Sequence, residues 1–194
     1  MADEITIAFD GVEVKTRPGK MVLEAAIEAG IYIPYLCYHP GMKPYGACRM
    51  CVVGVEGGRG YPASCTLPVQ DGMKIHTEMG DVQELRRSIM EMLIAEHPSG
   101  CLTCHRVNIC GPGNVCLRHV SVNDRCVTCP KNERCELKDT VRYLGVSLES
   151  PLEYKYRSIP LEVGDPFYDR DYNLCIVCGR CVRACEELRG DSAI

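Results

Sequence analysis

The sequence has no tryptophan and only two phenylalanines, so ten tyrosines supply nearly all its aromatic surface. It contains no run of eighteen apolar residues, and no membrane-spanning helix is expected. It has no excess of positive charge. The formal net charge is -4 with both signs interspersed, which argues against a nucleic-acid partner, since that needs a basic face. The opening stretch MADEITIAFDGVEV offers neither a basic n-region nor an apolar h-region, so no secretory signal is expected. No G-x-G-x-x-G follows a strand and no P-loop is present, so no dinucleotide or phosphate cradle is expected. No Ser-His-Asp grouping or pair of carboxylates stands out as a bond-making site.

Cysteine is abundant instead, 15 in 194 residues. That is far above ordinary usage, and three uses compete for it: disulfides, zinc and iron–sulfur clusters. Disulfide scaffolds are usually short secreted chains with an even count. Here the count is odd and no export signal is expected, so the reading is a reducing cytoplasm in which thiols stay free or bind metal.

The fold class expected is α+β. In EITIAFD, Ile5, Ile7 and Phe9 alternate as in a half-buried strand; Gly11 turns the chain and VEVKT makes a second strand. GKMVLEAAIEAG reads as a helix stopped by Gly30. A Pro/Gly/Cys loop follows, IPYLCYHPGMKPYGACRMC, then short strands around CVVGVE, YPASCT and MKIHTE. Residues 81–96 form the strongest helix, with Asp81 and Glu84 resembling a capping box. Val82, Leu85, Ile89, Met92 and Leu93 give it an apolar stripe, and Met90 and Met92 read as core filler. Pro98 ends it, leaving His97 at a turn before the next cysteines. ELKDTVRYLG reads as a short helix ending at Gly145. The domains expected are 1–80, 81–145, a linker over 146–165, and a last cysteine segment over 166–194.

The cysteines fall into sets. Cys37, Cys48, Cys51 and Cys65 are spaced C-x10-C-x2-C-x13-C. Plant-type ferredoxins also combine clustered loop cysteines with one distant cysteine, although their first gap is shorter. C-x2-C-x5-C then occurs twice, as Cys101, Cys104, Cys110 and as Cys126, Cys129, Cys135. Cys175, Cys178, Cys181 and Cys185 follow the bacterial ferredoxin run, with Glu186 where proline is usual. Zinc sites also use C-x2-C hooks, so spacing alone establishes metal-ligand geometry and no more.

The ordered combination resembles one superfamily over nearly the whole chain. Its members are the large iron–sulfur subunit of respiratory complex I, the small diaphorase subunit of NAD-reducing hydrogenases, iron-only hydrogenases and NAD-dependent formate dehydrogenases. The resemblance lies in C-x10-C-x2-C-x13-C behind a strand–strand–helix start, in His97-x3-Cys101-x2-Cys104-x5-Cys110, and in CIVCGRCVRACEELRG. It implies a β-grasp [2Fe–2S] domain over 1–80, followed by small helical and loop [4Fe–4S] segments. It also implies a [4Fe–4S] cluster on His97, Cys101, Cys104 and Cys110. The function implied is an electron-relay subunit in a cytoplasmic hetero-oligomer. Its partners would be a flavoprotein that oxidises NAD(P)H and another redox subunit. The candidates are a bifurcating NADH:ferredoxin oxidoreductase, a hydrogenase, a formate dehydrogenase or a complex I-like enzyme. No flavin or NAD is expected on this chain.

The sequence departs from that pattern in two places. The superfamily commonly has one triplet followed by ELQD-like residues; here ELKD follows the second triplet while the histidine precedes the first. Either one triplet is idle, or Cys116, Cys126, Cys129 and Cys135 hold a second cluster, making two to three [4Fe–4S] clusters beside one [2Fe–2S]. With two, every cysteine is assigned and one histidine completes the odd count. Cys116 is the least constrained ligand, with His119 or His105 as its alternatives. At the last run, Cys185 closes its own cluster or stays free, or the sequence is part of a longer polypeptide. His39 and His76 read as surface or core residues, and Tyr35, Tyr38 and Tyr45 as a shield around the first loop. A stand-alone polyferredoxin and a zinc-stapled scaffold with one redox cluster remain as other classes.

Overall fold

The computed structural model describes residues 4–98, 101–106, 109–111, 113–116, 125–146, 152 and 154–193. It divides into two compact units. One runs to Arg86 and takes in the chain again from Cys178 onward; the other is Arg87–Val177.

The first unit is a mixed sheet with a helix packed on it. Strands β1 (Ile5–Phe9) and β2 (Val12–Thr16) pair antiparallel, Ile5 opposite Thr16 and Phe9 opposite Val12. Asp10 at φ 46° and Gly11 at φ 88° turn the hairpin, both in the left-handed region that a two-residue primed turn demands. Helix α1 (Val22–Glu28) follows; the Glu24 carboxylate accepts the Met21 amide at 2.9 Å and closes its first turn. β3 (Gly54–Val55) and β4 (Lys74–His76) complete the sheet in the order β2-β1-β4-β3, with β1 and β4 parallel. Sheet and helix enclose Ile7, Phe9, Val22, Leu23, Ile33 and Ile75, and Cys51 and Cys65 belong to the same buried cluster.

Of the three short strands expected after the cysteine loop, MKIHTE supplies β4 and CVVGVE supplies β3. YPASCT differs: it makes one bridge, Val52 with Ala63, and then a 3-10 turn over Ser64–Thr66. That turn carries Cys65 inward, which a continuous strand at the edge would not.

Helix α2 (Gly80–Ala95) begins one residue before the expected start. Asp81 therefore lies inside the first turn, and its carboxylate accepts the Tyr61 hydroxyl at 3.0 Å. The buried stripe also differs from the expected one. Val82, Arg86, Met90 and Ile94 are buried, whereas Met92 is 58% exposed. The reason is Arg86, which is fully buried and donates to the Thr77 carbonyl at 2.9 Å and the Val52 carbonyl at 2.7 Å. These carbonyls sit at the end of β4 and in the segment before β3. A buried carbonyl without a donor is costly, and a guanidinium forks to reach two of them.

In the second unit, helix α3 (Glu136–Leu144) buries Leu137, Val141 and Leu144. It ends at Gly145 in the left-handed conformation, as expected. Its last carbonyl, Leu144 O, accepts from the Arg87 guanidinium at 2.8 Å. The stretch read as a linker is stitched down where it is described. The Lys155 amide donates to Ala95 O at 2.8 Å, and Arg157 donates to Tyr172 O at 3.2 Å and Cys175 O at 2.9 Å. Asn173 exchanges two hydrogen bonds with the Ile159 backbone.

In the first unit, the returning chain forms a short helix α4 (Arg180–Arg183), which passes into a π-helical turn over Ala184–Arg189. No described helix is long and apolar enough to cross a membrane.

Replacing Arg86 by Ala removes the donors from two buried carbonyls and leaves a void. We expect a loss of about 3 kcal/mol, read as a lowered denaturation midpoint of the full chain. A change within about 0.5 kcal/mol, the range of ordinary surface substitutions, would show that Arg86 is not structural.

Candidate metal centres

The first four cysteines are drawn together by unlike elements. Cys37 and Cys48 lie in the long loop, Cys51 just before β3, and Cys65 in the 3-10 turn. Cys37, Cys51 and Cys65 are buried and Cys48 is half-buried. The sulfurs meet in pairs: Cys37 hydrogen-bonds with Cys48 and with Cys65, and Cys51 with Cys65. The Cys48 and Ala47 amides both point at the Cys37 sulfur, the former at 3.5 Å. The Met50 amide points at Cys48. Arg49, at φ 55°, supplies the left-handed kink that turns the loop there.

The electrostatics are those of shared protons. The Cys48 thiol, then the Cys65 thiol and the two amides, pull Cys37 far below the ordinary thiol range. The Cys65 thiol does the same to Cys51. The donors move the other way: Cys48 is pushed up by its bond to Cys37, and Cys65 by its bonds to Cys37 and Cys51. Four sulfurs hydrogen-bonded to one another and approached by several amides are a donor set for metal, because metal takes the place of their protons. The residues fit a thiolate-ligated iron–sulfur group.

The shielding tyrosines divide. Tyr38 is buried, and burial followed by the nearby Glu24 carboxylate raises its hydroxyl to about 12. Tyr35 meets its ring edge-on at 5.5 Å between centroids. Tyr45 does not shield: it is 52% exposed, and its ring lies under the Arg183 guanidinium at 4.7 Å.

The two triplets share one local geometry. The Cys104 amide donates to Cys101 O at 3.0 Å, and the Cys129 amide donates to Cys126 O at 3.1 Å. Each C-x2-C pair is therefore one tight turn that carries both sulfurs. The triplets also touch. The Cys101 sulfur hydrogen-bonds with the Cys126 sulfur and, with burial and the nearby Cys135 and Cys129, pushes the Cys126 thiol up. Cys135 caps α3 and its sulfur accepts the Lys138 amide at 3.4 Å. The His97 ring sits among Pro98, Leu174 and Arg157, with Nδ1 3.2 Å from Pro98 O. Burial is the main reason its basicity is lowered, so it favours the neutral, ligating form. Cys116 is half-buried, and His119 lies outside the described residues.

In the last run, Val177 at φ 55° lets its amide reach the Cys175 sulfur at 3.3 Å. Cys185 is buried and Cys181 exposed. Within the first unit the return of Cys178, Cys181 and Cys185 is held in part by a side chain that sequence reasoning did not single out. Arg183 is buried, donates to the Cys37 carbonyl at 3.3 Å and to the Lys43 carbonyl, and pairs with Glu187 at 3.0 Å. Glu187 in turn accepts the Lys43 amide at 2.7 Å. Gly179, at φ 70°, lets the Tyr45 ring come close; a Cβ there would meet it at 3.3 Å. Arg125 was missed as well, and nothing in its sequence neighbourhood marks it beyond its place beside Cys126. Among the described residues, no three His, Cys, Asp or Glu side chains are arranged to hold a single metal ion.

Residues 2–80 match the family profile of the 2Fe-2S iron-sulfur cluster binding domain. The chain is similar to an NADH-quinone oxidoreductase subunit of Rickettsia typhi, 33% identical across 96% of this chain and 24% of that protein. The 75 kDa subunit of NADH-ubiquinone oxidoreductase from Reclinomonas americana is 32% identical across 96% of this chain and 23% of that protein. The chain thus spans about a quarter of the length of these curated relatives. Among solved structures, a chain of a NAD+-reducing [NiFe]-hydrogenase in the H2-reduced state superposes with a TM-score of 0.77 at 34% identity, covering 97% of this chain and 68% of that one.

Cys51→Ala in the full chain is expected to lose about two iron and the [2Fe–2S] electron paramagnetic resonance signal while the other signals stay. Loss of every signal together would mean that the sites do not assemble independently.

Proposed function

Because the chain belongs to the family of iron–sulfur oxidoreductase subunits that includes the 75 kDa subunit of NADH-ubiquinone oxidoreductase, its NADH-quinone oxidoreductase equivalents and their counterpart in NAD+-reducing [NiFe]-hydrogenase, we propose that it is an electron relay. It passes single electrons between a flavoprotein that handles NAD(P)H and another redox subunit, within a cytoplasmic hetero-oligomer. The observation that carries this reading is the convergence of Cys37, Cys48, Cys51 and Cys65 on one buried spot with backbone amides aimed at their sulfurs. Iron–sulfur clusters supply one-electron transfer when bound at such thiols.

The residue assignments follow the sets. Residues 1–80 form a β-grasp domain whose four cysteines hold [2Fe–2S]. In 81–145, His97, Cys101, Cys104 and Cys110 hold one [4Fe–4S], and Cys116, Cys126, Cys129 and Cys135 hold another. Cys175, Cys178, Cys181 and Cys185 of the last segment hold a third. The shared turn of the two triplets supports giving both the same task. Amides directed at Cys37, Cys48, Cys135 and Cys175 stabilise negative sulfur and thereby tune the ease of reduction. Arg183 ties the segment carrying Cys178, Cys181 and Cys185 to the carbonyl of Cys37, and this supports a role for that segment in the relay. Candidate complexes are a bifurcating NADH:ferredoxin oxidoreductase, a NAD-reducing hydrogenase, a formate dehydrogenase and a complex I-like enzyme.

The full chain, loaded anaerobically with iron and sulfide, tests the relay. NADH alone is expected to leave its visible absorption unchanged, NADH with a diaphorase to bleach it, and the bleached chain to reduce cytochrome c. Bleaching by NADH alone would mean that the chain carries its own dinucleotide chemistry, and failure to reduce cytochrome c would sink the relay.

A further inference from the structure

Arg125 is 5% exposed, although a guanidinium stays charged at any physiological pH. Among the described residues its acceptors are the Cys110 sulfur at 3.5 Å, Gly111 O at 3.4 Å and Asn114 O at 3.0 Å, all reached by one terminal nitrogen. The carbonyls satisfy hydrogen bonds but carry no net charge. A buried cation needs a counter-charge, and among the described acceptors the sulfur is the one able to supply it. The Cys110 sulfur is 3.7 Å from the same Gly111 carbonyl, so sulfur, carbonyl and guanidinium form one closed group. Arg125 also precedes Cys126 in the chain, so one fixed positive charge serves a sulfur of the first triplet from the doorstep of the second.

We propose that Arg125 sets the reduction potential of the cluster ligated by Cys110, holding it higher than the surrounding thiolates alone would. The proposal rests on the reading above that Cys110 is an iron ligand. Reduction adds one electron and no proton, so the site becomes more negative by one charge. A buried cation beside it stabilises that reduced state, and salt screens it little because it is out of water. The N–H to sulfur bond acts in the same direction, by withdrawing charge from the ligand.

The test is a redox titration of the iron-loaded full chain followed by electron paramagnetic resonance. Arg125→Gln is expected to make one [4Fe–4S] signal about tenfold harder to reduce, about 59 mV for one electron, with the [2Fe–2S] signal unmoved. Arg125→Lys keeps the charge and is expected to titrate like the native chain. An unchanged potential in Arg125→Gln overturns the proposal. If that variant binds no iron, the lysine variant decides: a native potential supports a charge effect, and a potential lowered as far as the glutamine value expected above overturns it. Loss of iron from both variants makes Arg125 a folding residue and also overturns it. Cys110→Ala separates the two readings. Loss of about four iron supports the ligand, so that a failure of Arg125→Gln touches only the tuning; full iron retention defeats both.

Discussion

The chain's problem is to keep negative sulfur away from water. A thiolate leaving water loses solvation that only charge or hydrogen bonds can replace. The first site meets this with amides. Cys48, Ala47 and Met50 turn their N–H groups onto Cys37 and Cys48, and the left-handed Arg49 makes the turn possible. The sheet and α1 hold the loop and the 3-10 turn at one place, and Cys51 and Cys65 pack as core residues would. At other sites the same device recurs with different parts: the Lys138 amide at the start of α3 on Cys135, and the Val177 amide on Cys175. At Cys110 a guanidinium lies against the sulfur.

Two buried arginines take different parts. Arg125 lies against Cys110, and Arg183 fixes the returning segment to the Cys37 carbonyl. Both are nearly buried, which is unusual for this residue type and expensive unless each group is partnered. Arg183 has Glu187 as its counter-charge, and among the described residues Arg125 has the Cys110 sulfur beside two carbonyls. The contrast separates an arginine that holds two segments together from one that faces a candidate ligand.

Much of the frame is legible in the residue pattern. Alternation in ITIAF, the turn at Gly11, the helix stopped at Gly145 and the mixed α+β character follow from short-range pattern. The candidate ligands are legible as types and spacings, and the turn shared by Cys101–Cys104 and Cys126–Cys129 is what a repeated C-x2-C forms locally. What pattern does not show depends on partners far along the chain. The stripe of α2 differs from expectation because polarity places arginine outside, whereas Arg86 answers carbonyls at Val52 and Thr77. Arg183 reaches Cys37 across 146 positions, and Tyr45 is occupied by that arginine instead of the first site. The stretch expected as a linker is held by Arg157 and Asn173, whose acceptors are backbone atoms that no residue type announces.

If all four thiol sets exist to hold iron–sulfur clusters, metal content decides the matter most directly. Iron and zinc should be counted in the anaerobically purified full chain, beside its electron paramagnetic resonance spectra. The relay with one [2Fe–2S] and three [4Fe–4S] clusters predicts about fourteen iron and no zinc. About six iron with one or two zinc would contradict it, leaving the paired triplets as structural staples.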